Sequence, residues 1–513
     1  MKKIRLIALL ICAAMIVTMF AACADNGDNG IGTRPSGKNG GTSEGPGDSS
    51  FVSADYNSDD FTILTIQQTT SSGRDYYGGA YIDAEGYNGG TINDAVHERN
   101  MKVEEKYNVT INERIEQSGE PASVLQTFYM SGDFCFDAIY GWGYKLGACI
   151  TENYFANIKD LPNVDLTQDY WSPSAMEDLT INNKLYTTIN DISMNKLEWA
   201  DILYFNKSMV ENYNLESTYG SFYDLVRNGK WTLDTYLSLV SSISTDVDGN
   251  GVITNSDYYG LIDGDSTGSN LAHSSGISYS TKQDDGSYVL GFYNDKLLSL
   301  TSKVYNTYSN SKYVRSYDDI WSEGGDQTGY NDQWEYARSF FSTGHALFCT
   351  GSLNTTGEYK NMEDSYGVLP YPKYDENQEN YNTYVSSLSS MFAIPMTTRN
   401  DVSTAGSERT GTILEFMAYK SNEILLPAYY DTLIKGQRVE QDDAEMLDII
   451  RKNIRYEFTD VCGLTDIAEV VNTIFKKPTS ASSTYTRNQT KLTKELNDFY
   501  TKVLLLDTKN AES

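Results

Sequence analysis

The chain has 513 residues, with 70 acidic and 40 basic side chains and a formal net charge of −30. Its pI is near 4.4 and it has no long run of Lys or Arg, so it has nothing to replace the counterions around phosphates, and nucleic-acid binding is excluded. At 40% hydrophobic it can bury a core, and its length calls for two lobes or domains rather than one.

Met1-Lys2-Lys3-Ile4-Arg5 is a positively charged start, followed by an apolar run from Leu6 to Phe20. That run is shorter than the roughly 20 residues of a membrane-spanning helix, so residues 1–22 are expected to be a signal peptide. Phe20-Ala21-Ala22-Cys23 resembles the bacterial lipobox, with Phe20 where Leu is usual. The resemblance implies that Cys23 is lipidated and becomes the mature N-terminus. The mature chain then carries 70 acidic and 37 basic side chains, a net −33, because Lys2, Lys3 and Arg5 are removed. Residues 24–50, rich in Gly, Ser, Asp and Asn, read as a flexible tether with a reach of about 30 Å. No later apolar stretch is long enough to span a membrane, which leaves the lipid as the only anchor.

The body opens with a strand-like run, Phe61 to Ile66. Thr91-Ile92-Asn93-Asp94 reads as a helix cap, with the helix running to about Tyr107. Val109 and Ile111 alternate in a second strand, a helix covers about Pro121 to Met130, and Phe136 to Tyr140 forms a third strand. Strand, helix, strand, helix, strand is the pattern of a parallel sheet with helices on its faces. Ligands bind such sheets beyond the carboxyl ends of the strands, which puts Gly141 to Tyr144 at a cleft edge. Near the C-terminus Leu492, Leu496, Phe499 and Val503 recur at helical spacing.

Four cysteines follow Cys23: Cys135, Cys149, Cys349 and Cys462. Their spacing fits no zinc pattern, and for Cys135 and Cys149 a disulfide and buried free thiols are both open. Asp246 to Asp257 fits a twelve-residue calcium loop of EF-hand type. Asp246, Asp248 and Asn250 supply side-chain oxygens at positions 1, 3 and 5, Gly251 permits the sharp turn, and Val252 offers its carbonyl. Asp257 closes the loop where Glu is usual. A structural Ca2+ is therefore expected, since acids packed this closely repel one another without a cation.

Several segments resemble extracellular solute-binding proteins of the maltose-binding type, the receptor lipoproteins of ABC sugar importers. They are Ile181-Asn182-Asn183-Lys184-Leu185-Tyr186, Leu203-Tyr204-Phe205-Asn206-Lys207, Gly229-Lys230-Trp231-Thr232-Leu233-Asp234 and Tyr366-Gly367-Val368-Leu369-Pro370-Tyr371-Pro372-Lys373. They occur in the family's order behind a lipobox, with Asn183 and Leu233 departing from its pattern. The resemblance implies an α/β fold of periplasmic-binding-protein type, in which two lobes joined by crossing hinge strands enclose a ligand cleft. Lobe one would comprise residues 51–203 with 391–430, and lobe two 204–390 with 431–513. It also implies capture of a carbohydrate, an oligosaccharide above all, by a monomer on the outer face of the cell membrane, and its delivery to permease subunits.

Sugar receptors stack aromatic rings on the apolar sugar faces and aim polar groups at the hydroxyl edge. The candidates are Trp142 and Tyr144 after the third strand, Trp199 before the crossover, and Gly351 and Ser352 after the strand His345 to Cys349. Trp231 belongs to a helix-start motif and reads as packing, while Trp321 and Trp334 have no assigned place. The content of 40 Tyr against 18 Phe suits either a sugar cleft or a polar core. The alternatives are a cell-surface glycoside-acting enzyme, a peptide or polyol receptor of the same fold, and an adhesin. No His-Glu-x-x-His motif supports an enzyme.

Overall fold

The computed structural model describes residues 47–67, 81–117, 120–133, 135–264, 266–396, 405–437 and 441–512. The expected signal peptide, the lipidated Cys23 and residues 24–46 of the tether lie outside them. Met1–Ser50 and Phe51–Ser513 are separate units, and in the first Asp48–Ser50 forms one 3-10 turn. No described helix is long and apolar enough to cross a membrane.

In the second unit the chain first builds one lobe. Strand β1 (Asp59–Gln67) runs parallel to β2 (Val109–Gln117) on one side and to β3 (Ala138–Trp142) on the other. Phe61 and Ile63 enter one apolar cluster while Leu64 and Ile66 enter another, because successive side chains point to opposite faces. A strand covered on both faces has to be apolar at almost every position, which is why this run shows no alternation. The helix Thr91–Tyr107 buries Val96, Val103 and Tyr107. Its cap is Gly90 rather than a side chain of the Thr91–Asp94 segment; Asp94 instead accepts the N–H of Asn88 at 2.9 Å and so ties down the preceding loop. Pro121 opens the next helix, which stops at Ser131 where Gly132 takes a left-handed φ of 69°. A tight turn places Asn182 and Asn183 at φ 45° and 63°, between reciprocal hydrogen bonds of Ile181 and Lys184. The short β4 (Thr187–Thr188) ends this passage.

The chain then crosses to a second sheet. There β5 (Asp201–Asn206), β6 (Ser244–Thr245), β7 (Tyr258–Asp263), β10 (Val314–Ser316), β11 (Ala346–Ser352) and β12 (Tyr366–Leu369) assemble in the order β10-β7-β11-β5-β12, with β6 beside β7. A separate hairpin, β8 (Ser280–Lys282) with β9 (Tyr288–Leu290), stands apart from it. Strand β11 is parallel to β7 and antiparallel to β5. Trp231 is fully buried, with Nε1 donating to the Pro370 carbonyl at 2.9 Å, which is the packing role its motif predicts.

The return runs through β13 (Thr383–Tyr384) to β14 (Ser390–Ala393), which inserts antiparallel between β3 and β4 of the first sheet. The crossing segments hold one another. Ala200 bridges Val385, the Ser386 N–H donates to the Trp199 carbonyl at 3.2 Å, and β13 pairs with β15 (Ile454–Arg455). Beneath them the buried Asp191 carboxylate binds Lys196 at 2.6 Å and Arg451 at 2.9 Å. The helix Ala481–Glu512 buries Leu492, Leu496, Phe499 and Val503, as their spacing predicts. Cys135, Cys149, Cys349 and Cys462 are free thiols.

Candidate ligand cleft

A cavity of about 940 Å³ opens between the two sheets, at the upper end of what small-molecule sites occupy. Its walls come from strand ends: Trp142 closes β3, Gly264 follows β7, and Gly351 and Ser352 close β11. The crossing segments supply Glu198, Trp199, Asp201, Tyr384 and Ser386, and the C-terminal region supplies Asp460 and Asn472.

Trp142, Trp199, Gly351 and Ser352 therefore share one cavity. Gly351 and Ser352 lie inside β11 rather than after it, and Ser352 is the register partner of Asp201. Tyr144 does not line the cavity. It stacks on Trp142 from behind, with ring centroids 5.8 Å apart, and carries the Lys145 ammonium 5.2 Å from its own ring. The turn that aims Trp142 is held by Gly143, whose N–H donates to the Ser389 carbonyl at 3.0 Å. A Cβ there would come within 2.7 Å of the same oxygen, so only glycine lets the return segment lie this close.

Trp334 also lines the cavity. It sits in the first turn of the helix Gln333–Ser342, which Asp332 caps by accepting the Glu335 N–H at 2.8 Å. That cap was the available signal: an Asp three residues before a Glu places the Trp at a helix start. Trp321 packs edge-on against Tyr336 and is not part of the lining.

The charged residues of the lining are mostly acidic. Arg338 and Glu358 neutralise each other in a two-pronged pair, both contacts 2.7 Å. Glu198 accepts from the Tyr81 hydroxyl and from Asn195 at 3.2 Å, and burial pushes its carboxyl up to about 8. Burial does the same to Asp201, to about 8, and to Asp460, to about 7. Asp460 Oδ2 accepts from the Tyr384 hydroxyl at 2.6 Å, which partly offsets that cost. Burial holds the neighbouring Glu457 up at about 8 and drives His273 down to about 3.

Away from the cleft, between β6 and β7, carboxylate oxygens of Asp246, Asp248 and Asp257 all lie within 4.8 Å of one another. Gly249 and Gly251 turn the loop at φ 72° and 85°, and Ile253 is buried beneath it. Asp246 accepts the Gly251 N–H at 2.6 Å, and Asn250 Oδ1 accepts the Val252 N–H at 2.7 Å. An all-oxygen set of this kind fits a hard divalent cation.

No protein-family model and no curated protein matches the sequence. Solved structures do match its fold. UspC from M. tuberculosis superposes with a TM-score of 0.54 at 11% identity, covering 84% of this chain and 99% of that one. The galacto-N-biose/lacto-N-biose I-binding protein of an ABC transporter from Bifidobacterium longum, solved with lacto-N-biose, gives 0.51 at 12% identity, covering 87% and 98%. The two α/β lobes, the crossing strands and the cleft between them are the fold of the periplasmic binding proteins.

Proposed function

We propose that this chain is the substrate-binding receptor of an ABC importer and captures a carbohydrate, an oligosaccharide above all, between its lobes. The carrying observation is the cleft itself: Trp142, Trp199 and Trp334 bring three aromatic side chains to one cavity that polar groups such as Asn270, Ser352 and Asn472 also line. Pyranose rings need that combination. Supporting it, the B. longum protein of the same fold is an ABC-transporter component solved with a disaccharide. In this reading the receptor is a monomer tethered to the outer face of the membrane through a lipid on Cys23, and it hands its cargo to permease subunits. A Ca2+ held by Asp246, Asp248, Asn250, the Val252 carbonyl and Asp257 stiffens the second lobe and takes no part in chemistry.

Calorimetry of the purified protein against a glycan panel tests the reading. Micromolar or tighter binding is expected, weakened about tenfold or more by Trp142→Ala, Trp199→Ala or Trp334→Ala, a loss of about 1.4 kcal/mol each. If an identified ligand binds equally well to all three variants, the site is misplaced. The raised carboxyls of Glu198 and Asp201 favour a second reading, a glycoside-cleaving enzyme that uses one acid and one base. Hydrolysis of a bound glycan would establish that reading, whereas an intact ligand recovered after prolonged incubation is expected.

A further inference from the structure

Among the described residues lining the cleft, hydrogen-bond acceptors at one corner outnumber their donors. Asp201 opens β5 and lines the cavity with no hydrogen-bond or ionic partner among the described residues. Asp460 is 3% exposed, and its Oδ1 also lacks a partner although Oδ2 is held by Tyr384. The Oδ1 atom of Asn270, another lining residue, is likewise buried and unmatched. Tyr384 lines the same cavity and senses both acids: burial, then Asp460 and Tyr279, and last Asp201 oppose its ionisation. Among the described residues no basic group answers these carboxylates. Arg338 is the basic side chain of the lining and is committed to Glu358, while His273, stacked 4.4 Å from the Tyr384 ring, is kept neutral by burial. A carboxylate without a counter-ion is costly to bury, and here the partly buried Asp201 and the buried Asp460 line one cavity, with a third acid, Glu457, close to Asp460.

Resting on the carbohydrate-receptor reading, we propose that the cargo itself supplies the missing cation: a sugar bearing a protonated amine, seated against Asp201 and Asp460. An ammonium offers three donors and a full positive charge, and so meets both the acceptor surplus and the charge surplus of this corner. A neutral hydroxyl offers one donor and no charge. The raised carboxyl pKa values agree with this placement. Near pH 7 the free site holds protons, and the arriving cation displaces them into solution.

The test compares matched glycans, each with a free amine or with that amine N-acetylated, from one to four units in gluco, galacto and manno configuration. Binding to the purified protein is measured by calorimetry at pH 7 in two buffers of different ionisation enthalpy. The expected result is at least one amine binding tenfold or more tightly than its acetylated partner, with net proton release on binding. Asp201→Asn should remove that preference and reduce the release, while Trp142→Ala weakens both members of the pair alike. If neutral glycans bind and their amines bind no better, the cation is wrong and the receptor reading stands. If no glycan binds in either form, the receptor reading falls and takes the cation with it.

Discussion

Burial holds Glu198, Asp201, Glu457 and Asp460 protonated to higher pH in the folded chain than carboxyls allow in water. A group whose folded pKa is raised stabilises the protein fully below its unfolded value, and that stability is lost as pH rises through the folded value. For Asp201 the window runs from about 4, the ordinary carboxylate value, to about 8, and it spans on the order of a few kcal/mol. His273 works in the opposite direction below its ordinary value near 6.5, so a substitution isolates the acid better than a pH scan does. Asp201→Asn should melt with the parent near pH 4 and a few degrees above it at pH 8; identical melting at both would show that Asp201 is not held protonated. The sequence pointed to Trp142 and Trp199 because they follow the third strand and precede the crossover, positions where the family resemblance implies cleft residues, and both line the cavity. It did not expose Asp201 or Asp460. In a chain with 70 acids, only the cavity distinguishes the ones that matter.

Single elements were legible wherever a local rule decided them. The β-branched run of β1, the proline-started helix at Pro121 and the spacing of Leu492, Leu496 and Phe499 each state their structure in a few residues. The start of the helix Thr91–Tyr107 was not, because Asp94 serves the incoming loop instead of capping its own helix. The Asp246–Asp257 loop is legible by spacing and has the converging oxygens that spacing implies. If it holds Ca2+, the ion binds only the folded chain and stabilises it by mass action, about 2.7 kcal/mol at a hundredfold excess over Kd. Calcium should therefore raise the melting temperature by several degrees, a chelator should reverse the rise, and Asp248→Ala should abolish it. A melting curve indifferent to both reagents rejects the ion.

For the whole molecule, two lobes were readable from length and from the order of motifs, but the contents of the cleft were not. Trp334, Asp460 and Asn472 come from segments far apart in the chain and meet only when the lobes do. Lobe closure should follow binding, because the crossing segments around Ala200, Val385 and Arg455 can absorb it in a few torsions. Small-angle scattering should then show a smaller radius of gyration with a bound glycan than without, and an unchanged value would mean a rigid cleft.

Trp199 and Tyr384 line the cavity and also belong to the segments that cross between the two sheets. In the receptor reading, a cargo would be gripped where the lobes join, and a small rotation there would become a large displacement at the tips of both arms. A partner that touches only those tips senses an angle and is blind to chemistry. Discrimination between cargoes is then finished at the pivot, before anything outside the cleft responds.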